Sequence, residues 1–169
     1  VEASGGGTDT LSIVTTTDFS AMAASSFDEI DEIVLADTTT ATFTGAQING
    51  EAIDLDGSGG GGADNIVINM AFGGTLSLAS LTDADTNFAA TDTITINGTG
   101  GDETLTGSSE KDTIALGAGT DSITAGAGDD AITLGTGTNT VVFSAASNGT
   151  DVIGGFSTGD KLDVSNVLS

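Results

Sequence analysis

Acidic side chains recur at every ninth residue in the second half of this chain. In blocks of nine counted from residue 98, the sixth position is occupied by Glu103, Asp112, Asp121, Asp130 and Asn139. Carboxylate and carbonyl oxygens are hard ligands, which favour calcium or magnesium over softer metals. The chain contains no His and no Cys, so the usual ligands of zinc, copper and iron–sulfur clusters are missing. The spacing therefore indicates oxygen-only sites for a hard divalent cation.

The net charge of the chain supports the same chemistry. Twenty-five acidic residues face only two basic ones, Lys111 and Lys161, which gives a formal charge of -23. Two lysines cannot form a basic patch, so nucleic acid is excluded as a partner and anionic membrane surfaces are disfavoured. No apolar run reaches the length of a membrane helix, so membrane insertion is not expected. The hydrophobic content of 37% predicts a folded β protein rather than a disordered acidic chain.

Glycines and alternating apolar residues surround each acidic position. In the most regular blocks, glycines at the second and fourth positions allow a tight turn with positive φ. After the acidic residue, alternate positions are apolar, which predicts a short strand with one buried face. The inward pairs are Ile114 with Leu116, Ile123 with Ala125, Ile132 with Leu134 and Val141 with Phe143. Each block thus predicts one turn and one strand.

Two such blocks make one complete coil, so each block stacks on the block after next at a strand spacing of about 4.8 Å. The predicted fold is therefore all-β, a right-handed parallel β-helix or β-roll (a solenoid). Stacked turns would place carboxylates in a column along each edge. Without a cation this column is repulsive, and with a cation between the turns it becomes attractive.

The nine-residue pattern resembles the RTX (repeats-in-toxin) motif G-G-x-G-x-D-x-U-x, in which U is apolar. The resemblance covers residues 98–142 and implies several calcium ions per chain, each held between stacked turns by position-six carboxylates and turn carbonyls. It implies a first site at Thr99, Gly101, Glu103, Gly117, Gly119 and Asp121, a second at Ser108, Glu110, Asp112, Gly126, Gly128 and Asp130, and a third at Gly117, Gly119, Asp121, Gly135, Gly137 and Asn139.

Several residues of these sites depart from the motif. Glu103 and Asn139 stand in place of Asp, while Ser108 and Glu110 stand in place of glycine. These departures put the affinity of the affected sites in doubt. The alternative is that the position-six residues are turn residues that cap strands without metal. Five consecutive blocks in so acidic a chain favour calcium.

Two further stretches, residues 4–12 and 59–67, match the nonapeptide once each, so Asp9 and Asp64 are outlying candidate ligands. Asp92 lies in a turn that matches no repeat and is not expected to bind metal. Alternating residues predict strands at 11–14, 32–36, 40–44, 51–55, 66–70, 75–79 and 92–97. Residues 18–30 are compatible with a short helix or an extended loop, and Asn49-Gly50 indicates a turn.

The chain divides into three parts of one continuous solenoid. Residues 1–97 are predicted to form irregular parallel β-helix modules, and residues 98–143 the RTX roll. Residues 144–169 resemble the segment that closes such arrays, with Phe156, Leu162 and Val164 covering the open end. In this last part Asp151, Asp160 and Asp163 are interpreted as turn residues rather than ligands.

The first part also resembles modules of bacterial S-layer proteins and of large adhesins exported by type I secretion. The resemblance implies a secreted, calcium-binding structural protein of the bacterial cell surface. It would self-associate into a lattice, matrix or filament, with cell-surface polysaccharide as a further partner. The alternative is the carboxyl-terminal RTX domain of a type I-secreted enzyme, toxin or adhesin.

Catalysis by this chain is not expected. Two pairs of carboxylates, Asp129 with Asp130 and Asp54 with Asp56, are the only arrangement that suggests acid–base chemistry. The chain has no His or Cys for general-base or nucleophilic catalysis, no Arg to bind an acidic sugar, and no Trp or Tyr to form a glycan platform. The sequence therefore favours a binding or structural role over an enzyme.

The first prediction concerns the identity of the metal. Flexible turns with oxygen ligands suit the larger and less regular coordination of calcium better than the strict octahedron of magnesium. Isothermal titration calorimetry should show several calcium ions bound per chain. Magnesium binding of equal strength, or no binding at millimolar calcium, would contradict the ligand assignment.

Overall fold

The backbone forms a parallel β-solenoid of about seven coils in the computed structural model, which describes residues 7–57, 61–84, 86–143 and 149–165. The strands are β1 (Thr10–Ile13), β2 (Thr17–Asp18), β3 (Glu32–Leu35), β4 (Thr40–Thr44), β5 (Ile53–Gly57), β6 (Asn65–Asn69), β7 (Gly74–Ser77), β8 (Leu81–Thr82), β9 (Thr93–Thr99), β10 (Glu103–Thr106), β11 (Asp112–Gly119), β12 (Ser122–Thr124), β13 (Ala131–Thr133), β14 (Thr136–Gly137), β15 (Thr140–Val142), β16 (Val152–Gly154) and β17 (Lys161–Asp163). The all-β solenoid predicted from the sequence is confirmed.

Three parallel sheets organise these strands. The spine sheet runs along the whole solenoid in the order β2-β4-β6-β9-β11-β13-β16, with β14 paired to the far end of β11. Two further sheets lie opposite it. The amino-side sheet, β1-β3-β5-β8, belongs to the early coils, and the carboxy-side sheet, β7-β10-β12-β15-β17, belongs to the later ones. Strand β9 spans the boundary between the irregular coils and the array, so one sheet continues through both.

Columns of apolar side chains fill the space between the sheets. On the spine sheet the register aligns Phe43, Ile68, Ile96, Ile114, Ile132 and Ile153. On the carboxy-side sheet it aligns Leu76, Leu105, Ile123, Val141 and Leu162. Strand alternation puts these residues on one face, and each fully buried aliphatic side chain contributes about 1.5–3 kcal/mol. The early coils are wider, and Phe19, Phe27 and Phe43 pack ring against ring there.

The coils narrow where the nonapeptide array begins. Asp64 and Asp92, one coil apart, are 28 residues apart in sequence, whereas Asp112 and Asp130 are separated by only 18. In the spine sheet, Asp112 aligns with the buried Ile94 of the preceding coil. The array therefore places a carboxylate at a position that an apolar side chain fills in the wider coils.

Successive turns of the array lie in direct backbone contact. The glycines at the second and fourth positions have positive φ, for example 97° at Gly117 and 126° at Gly137. A Cβ atom at Gly137 would overlap the carbonyl oxygen of Gly119, one coil earlier. Glycine is required here both by conformation and by close approach, which explains the spacing noted in the sequence.

The strand predictions agree with the structure within a few residues, but the short helices differ. Residues 18–30 contain strand β2 at their start and a 3-10 helix at Ala24–Ser26. An α-helix, α1 (Gly45–Ile48), immediately precedes Asn49-Gly50 and was not expected. Its capping box, in which Thr44 and Gln47 exchange hydrogen bonds with the backbone, was the missed signal. None of the described helices is long and apolar enough to cross a membrane.

The carboxyl-terminal segment adds a coil instead of folding across the end of the solenoid. Strands β16 and β17 pair in register with β13 and β15. Leu162 continues an inward column but stays 50% exposed, and Phe156 is 52% exposed. These residues and Val164 belong to the last described coil, whose strands cover the edges of β13 and β15, and their role at the open end stays a prediction. Residues 1–6, 58–60, 85, 144–148 and 166–169, including parts of both outlying nonapeptides and of the terminal segment, lie outside the described residues.

Replacing glycine by alanine should separate the energetic cost of a positive φ from the cost of close approach between stacked turns. Gly50 and Gly137 both have positive φ, but a Cβ at Gly50 meets nothing within 4 Å. Gly50→Ala should cost about 1–2 kcal/mol of unfolding free energy for its left-handed backbone. Gly137→Ala should cost about 2–5 kcal/mol, since overpacking against a fixed carbonyl is added. Denaturant unfolding in saturating calcium measures both, and equal losses would contradict the close stacking of turns.

Candidate metal centre

The position-six residues form two ladders of hydrogen bonds along the edges of the array. In each rung, the backbone N–H of one residue donates to the side-chain oxygen of the residue one coil later. On one edge, Glu103 N–H donates to Asp121 Oδ1 (2.9 Å), and Asp121 N–H to Asn139 Oδ1 (3.0 Å). On the other edge, Asp112 N–H donates to Asp130 Oδ1 (2.9 Å). The ladders thus bring together the position-six partners predicted for all three sites.

Three carboxylate oxygens in these ladders are buried without a hydrogen-bond partner among the described residues: Glu103 Oε2, Asp121 Oδ2 and Asp130 Oδ2. The residues that carry them are only 1–2% exposed. A buried charge without compensation is costly, and buried polar atoms are nearly always paired. The only cations of the chain are Lys111 and Lys161, and both are exposed. These oxygens therefore fit the ligand set of a bound cation.

Backbone carbonyls at the contacts between turns would supply the remaining oxygens of a cation site. Thr99 O and Gly101 O lie against the Cα atoms of Gly117 and Gly119 in the next coil. Ser108 O lies in the same way against Gly126. Among the described residues no group of three or more acidic side chains converges, whereas calcium takes six to eight oxygens. A cation between these turns would therefore depend mainly on carbonyls, with one or two carboxylates.

The first site is held by Glu103 and Asp121. The Thr99 hydroxyl donates to Glu103 Oε1, and Gly101 N–H donates to Thr99 Oγ1 (3.1 Å). Thr99 thus fixes the longer Glu side chain within its own turn. Glu103 and Asp121 each retain one unpartnered oxygen. The first site therefore keeps two carboxylate oxygens for a cation, although Glu103 stands in place of Asp.

The second site is held by Asp112 and Asp130. Ser108 donates to Asp112 from its backbone N–H (2.9 Å) and from its hydroxyl (3.1 Å to Oδ1). Glu110 N–H in turn donates to Ser108 Oγ (3.0 Å). Ser108 therefore replaces a motif glycine with a side chain that orients the carboxylate of Asp112. Of this acidic pair, Asp130 supplies the unpartnered oxygen.

Burial dominates the acid–base properties of the second site. Desolvation raises the pKa of Asp112 well above its usual range, against the opposing hydrogen bond from Ser108. Desolvation also raises the pKa of Asp130 to about 6, and the neighbouring charges of Asp151 and Asp129 add to the rise. Without metal, the folded second site therefore resists ionisation.

The third site differs because Asn139 is fully hydrogen-bonded. Its Oδ1 accepts from Asp121 N–H, and its Nδ2 donates to Leu134 O (3.2 Å). Asn139 is 0% exposed. The side-chain amide thus leaves no buried oxygen unpartnered at this contact, unlike the carboxylates of the first two sites.

Beyond the array, the outlying candidate Asp64 lies in a ladder of the same kind. Asp64 Oδ1 accepts from Thr39 N–H (2.9 Å), and Asp64 N–H donates to Asp92 Oδ1 (2.8 Å). Burial and the nearby charges of Asp92 and Asp37 raise the pKa of Asp64. The other outlying candidate, Asp9, donates its N–H to Asp31 Oδ2 (2.8 Å) and is only partly buried.

Asp92 is not expected from the sequence to bind metal, and that stays a prediction, but its pairing with Asp64 was missed. The structure buries it to 2% exposure, one coil from Asp64. A nine-residue step cannot detect this pairing, because the coil between the two residues is 28 residues long. The available signal was the pattern Asp-x-Ile-x-Ile, which begins at both Asp64 and Asp92.

The three acidic residues of the last coil have the hydrogen bonds of turn residues. Asp160 accepts from Asn139 N–H (2.8 Å) and from Ser157 N–H (2.7 Å), and these bonds lower its pKa. Asp163 accepts from Ser165 N–H (3.0 Å). Asp151 Oδ1 accepts from Asp130 N–H (3.1 Å) and so extends one ladder.

Comparison with known families agrees with this geometry. A model of four copies of the RTX calcium-binding nonapeptide repeat matches residues 97–132 and 106–141. No curated protein and no solved structure gives a significant match. The matched stretch contains all three sites, so the resemblance noted in the sequence is confirmed and calcium is the cation that the repeats are known to bind.

The raised pKa of Asp130 predicts an inverted pH dependence in the absence of metal. The folded-state value of about 6 lies above the ordinary 3.8, so the folded state binds the proton more tightly than the unfolded chain. Stability in chelator should be greatest at low pH and should fall as pH rises through about 6. The β signal by circular dichroism in chelator should therefore be larger at about pH 5 than at about pH 7.5, where the metal-free array is expected to be unfolded.

Calcium should reverse this order, because protons compete with the cation for the carboxylates. Asp130→Asn, which removes the titrating group, should reduce the pH dependence seen in chelator. A metal-free protein that is more stable at the higher pH would contradict the burial of an ionisable Asp130 at this contact.

Proposed function

We propose, from the premise that residues 97–141 are RTX calcium-binding repeats, that this chain is a structural solenoid of the bacterial cell surface. It folds and assembles when calcium binds after export, as the calcium-dependent part of an S-layer, extracellular matrix or filament. The observation that carries the proposal is the set of buried carboxylate oxygens without partners at the contacts between coils. A protein whose coils meet through buried charge depends on its cation to remain folded.

The energetic balance of the array supports calcium-dependent folding. Each strand of the array contributes only about two inward side chains, and each turn contains glycines that lose much backbone entropy on folding. The free-energy cost of desolvating four buried acidic side chains opposes folding of this thin core. All are at most 2% exposed: Glu103, Asp112, Asp121 and Asp130. Because calcium binds the folded state alone, its binding free energy becomes folding free energy.

The calcium concentration is much lower inside the cell than outside, so calcium-dependent folding would occur only after export. Extracellular calcium modules bind at about 10⁻⁴–10⁻³ M, well above the calcium concentration of the cytosol. The array would therefore stay unfolded, and able to thread through a secretion channel, until it leaves the cell. This agrees with the type I secretion that is typical of proteins with RTX repeats.

The outer face of the carboxy-side sheet is the surface we propose for assembly. Its outward side chains on β7, β10, β12 and β15 are Thr75, Ser77, Thr104, Thr106, Ser122, Thr124, Thr140 and Val142. None of these eight is charged, although the chain carries a net charge of -23, and charge enters this face only at its last strand, β17, with Lys161 and Asp163. The outward residues of the spine sheet from β4 to β16 are uncharged as well, so a variant on each face is needed to distinguish them. Copies of so acidic a protein repel each other except where an uncharged face allows close approach. The regular strand spacing lets the hydroxyl columns of two copies align.

We infer no catalytic step for this chain. Asp129, Asp130 and Asp54 accept hydrogen bonds from backbone N–H groups, and the sequence lacks His, Cys and Arg. The second candidate, an RTX domain that folds an attached enzyme, toxin or adhesin, rests on the same repeats and the same calcium chemistry. The two candidates differ in whether this chain associates with itself.

Calcium titration of the metal-free protein at neutral pH is the direct test. Circular dichroism should show a cooperative gain of β signal with calcium, and little change with equal magnesium. Light scattering and electron microscopy should show sheets or fibres over the same calcium range. A chain that is fully β in excess chelator would contradict the switch, and folding without assembly would favour the second candidate.

A pair of matched variants locates the assembly surface. Thr104 and Thr113 are both exposed, mid-strand threonines, the first on the carboxy-side sheet and the second on the spine sheet. Thr104→Asp should block assembly without changing calcium-induced folding, because it introduces charge into the uncharged face. Thr113→Asp should leave assembly intact. Equal effects of the two variants would exclude the carboxy-side face as the interface.

A further inference from the structure

We infer that Asn139 closes the third turn-to-turn contact without calcium, so that the array takes calcium at two contacts rather than three. Asn139 then determines the number of ions that the array binds. The inference rests on the proposed calcium-binding function and deepens it. It departs from the expectation that every stacked pair of turns in the array forms an equivalent site.

The evidence comes from three residues with the same backbone role. Asp121, Asp130 and Asn139 each use Oδ1 to accept the N–H of the residue one coil earlier, at 2.9–3.0 Å. They differ only in the second atom of the side-chain head group. In Asp121 and Asp130 this atom is an oxygen, buried without a partner. In Asn139 it is a nitrogen, which donates to Leu134 O.

The orientation of the Asn139 amide follows from its two partners. Asp121 N–H requires an acceptor, and Leu134 O requires a donor. Only the arrangement with oxygen toward Asp121 and nitrogen toward Leu134 satisfies both. The amide hydrogens therefore occupy the position in which an aspartate would present its second oxygen, and an amide N–H cannot coordinate a cation.

The third contact between coils therefore differs from the first two. At the third contact, a neutral, fully hydrogen-bonded amide joins the two coils and adds no buried charge. At the first and second contacts, the unpartnered oxygens of Glu103, Asp121 and Asp130 require a cation. Asp121 then serves one ion, at the first contact, because its neighbour at the third contact is the amide. Each edge of the array holds one calcium ion.

Exchange of Asp and Asn at the same backbone position tests this directly, because the two side chains have the same shape and both preserve the Oδ1 hydrogen bond. The protein would be loaded with calcium and its bound ions counted by native mass spectrometry. Asn139→Asp should bind one ion more than the unmodified chain. Asp121→Asn and Asp130→Asn should each bind one ion fewer. Ions bound outside the array, for example near Asp64, do not affect these differences.

Calcium-induced folding followed by circular dichroism provides a second measurement. Its Hill slope should fall in Asp121→Asn, which links one ion fewer to folding, and rise in Asn139→Asp, which links one ion more. An unchanged or lower calcium count in Asn139→Asp overturns the inference, as does an unchanged count in Asp121→Asn. An unmodified chain that binds no calcium would instead overturn the proposed function itself, so the two failures are distinguishable.

Discussion

Burial of negative charge at the contacts between coils is the constraint on which the rest of this structure depends. Each rung of the array places a side-chain oxygen of one coil against the backbone N–H of the coil before it. The hydrogen bond satisfies one oxygen of an aspartate and leaves the other buried at Asp121 and Asp130. The glycine turns, the short strands and the thin core form a stack that buries this charge, and a cation between the turns would compensate it.

The same kind of rung appears outside the run of consecutive nonapeptides. Thr39, Asp64 and Asp92 form a ladder in coils of 25 and 28 residues, in contrast to the 18 of the array. What repeats in both regions is therefore a hydrogen bond from a backbone N–H at the start of a strand to an acidic side chain one coil later, and not the length of the coil. The additional residues lie in the wider turns and on the amino-side sheet, where an aromatic cluster fills the larger interior.

The residues that depart from the motif satisfy the contact between coils with different hydrogen bonds. Thr99 holds Glu103 within its own turn, and Ser108 orients Asp112 while occupying the place of a glycine. Asn139 satisfies its surroundings without any charge. A motif comparison treats all three as weakened matches, whereas the hydrogen bonds show that the first two retain an acidic pair at the site and the third replaces it.

The sequence by itself determined the solenoid, the two-block coil and the calcium chemistry, because these depend on local spacing: glycines at alternate positions, one acid per nine residues and two inward side chains per strand. Tertiary structure decided what depends on the register between coils. It placed Asp92 beside Asp64 across 28 residues and left Phe156 and Leu162 half-exposed on the last described coil. It also distinguished Asn139 from its aspartate equivalents. The physical reason is that a side chain's partner in a solenoid lies one coil away, and only the folded stack fixes how many residues that coil contains.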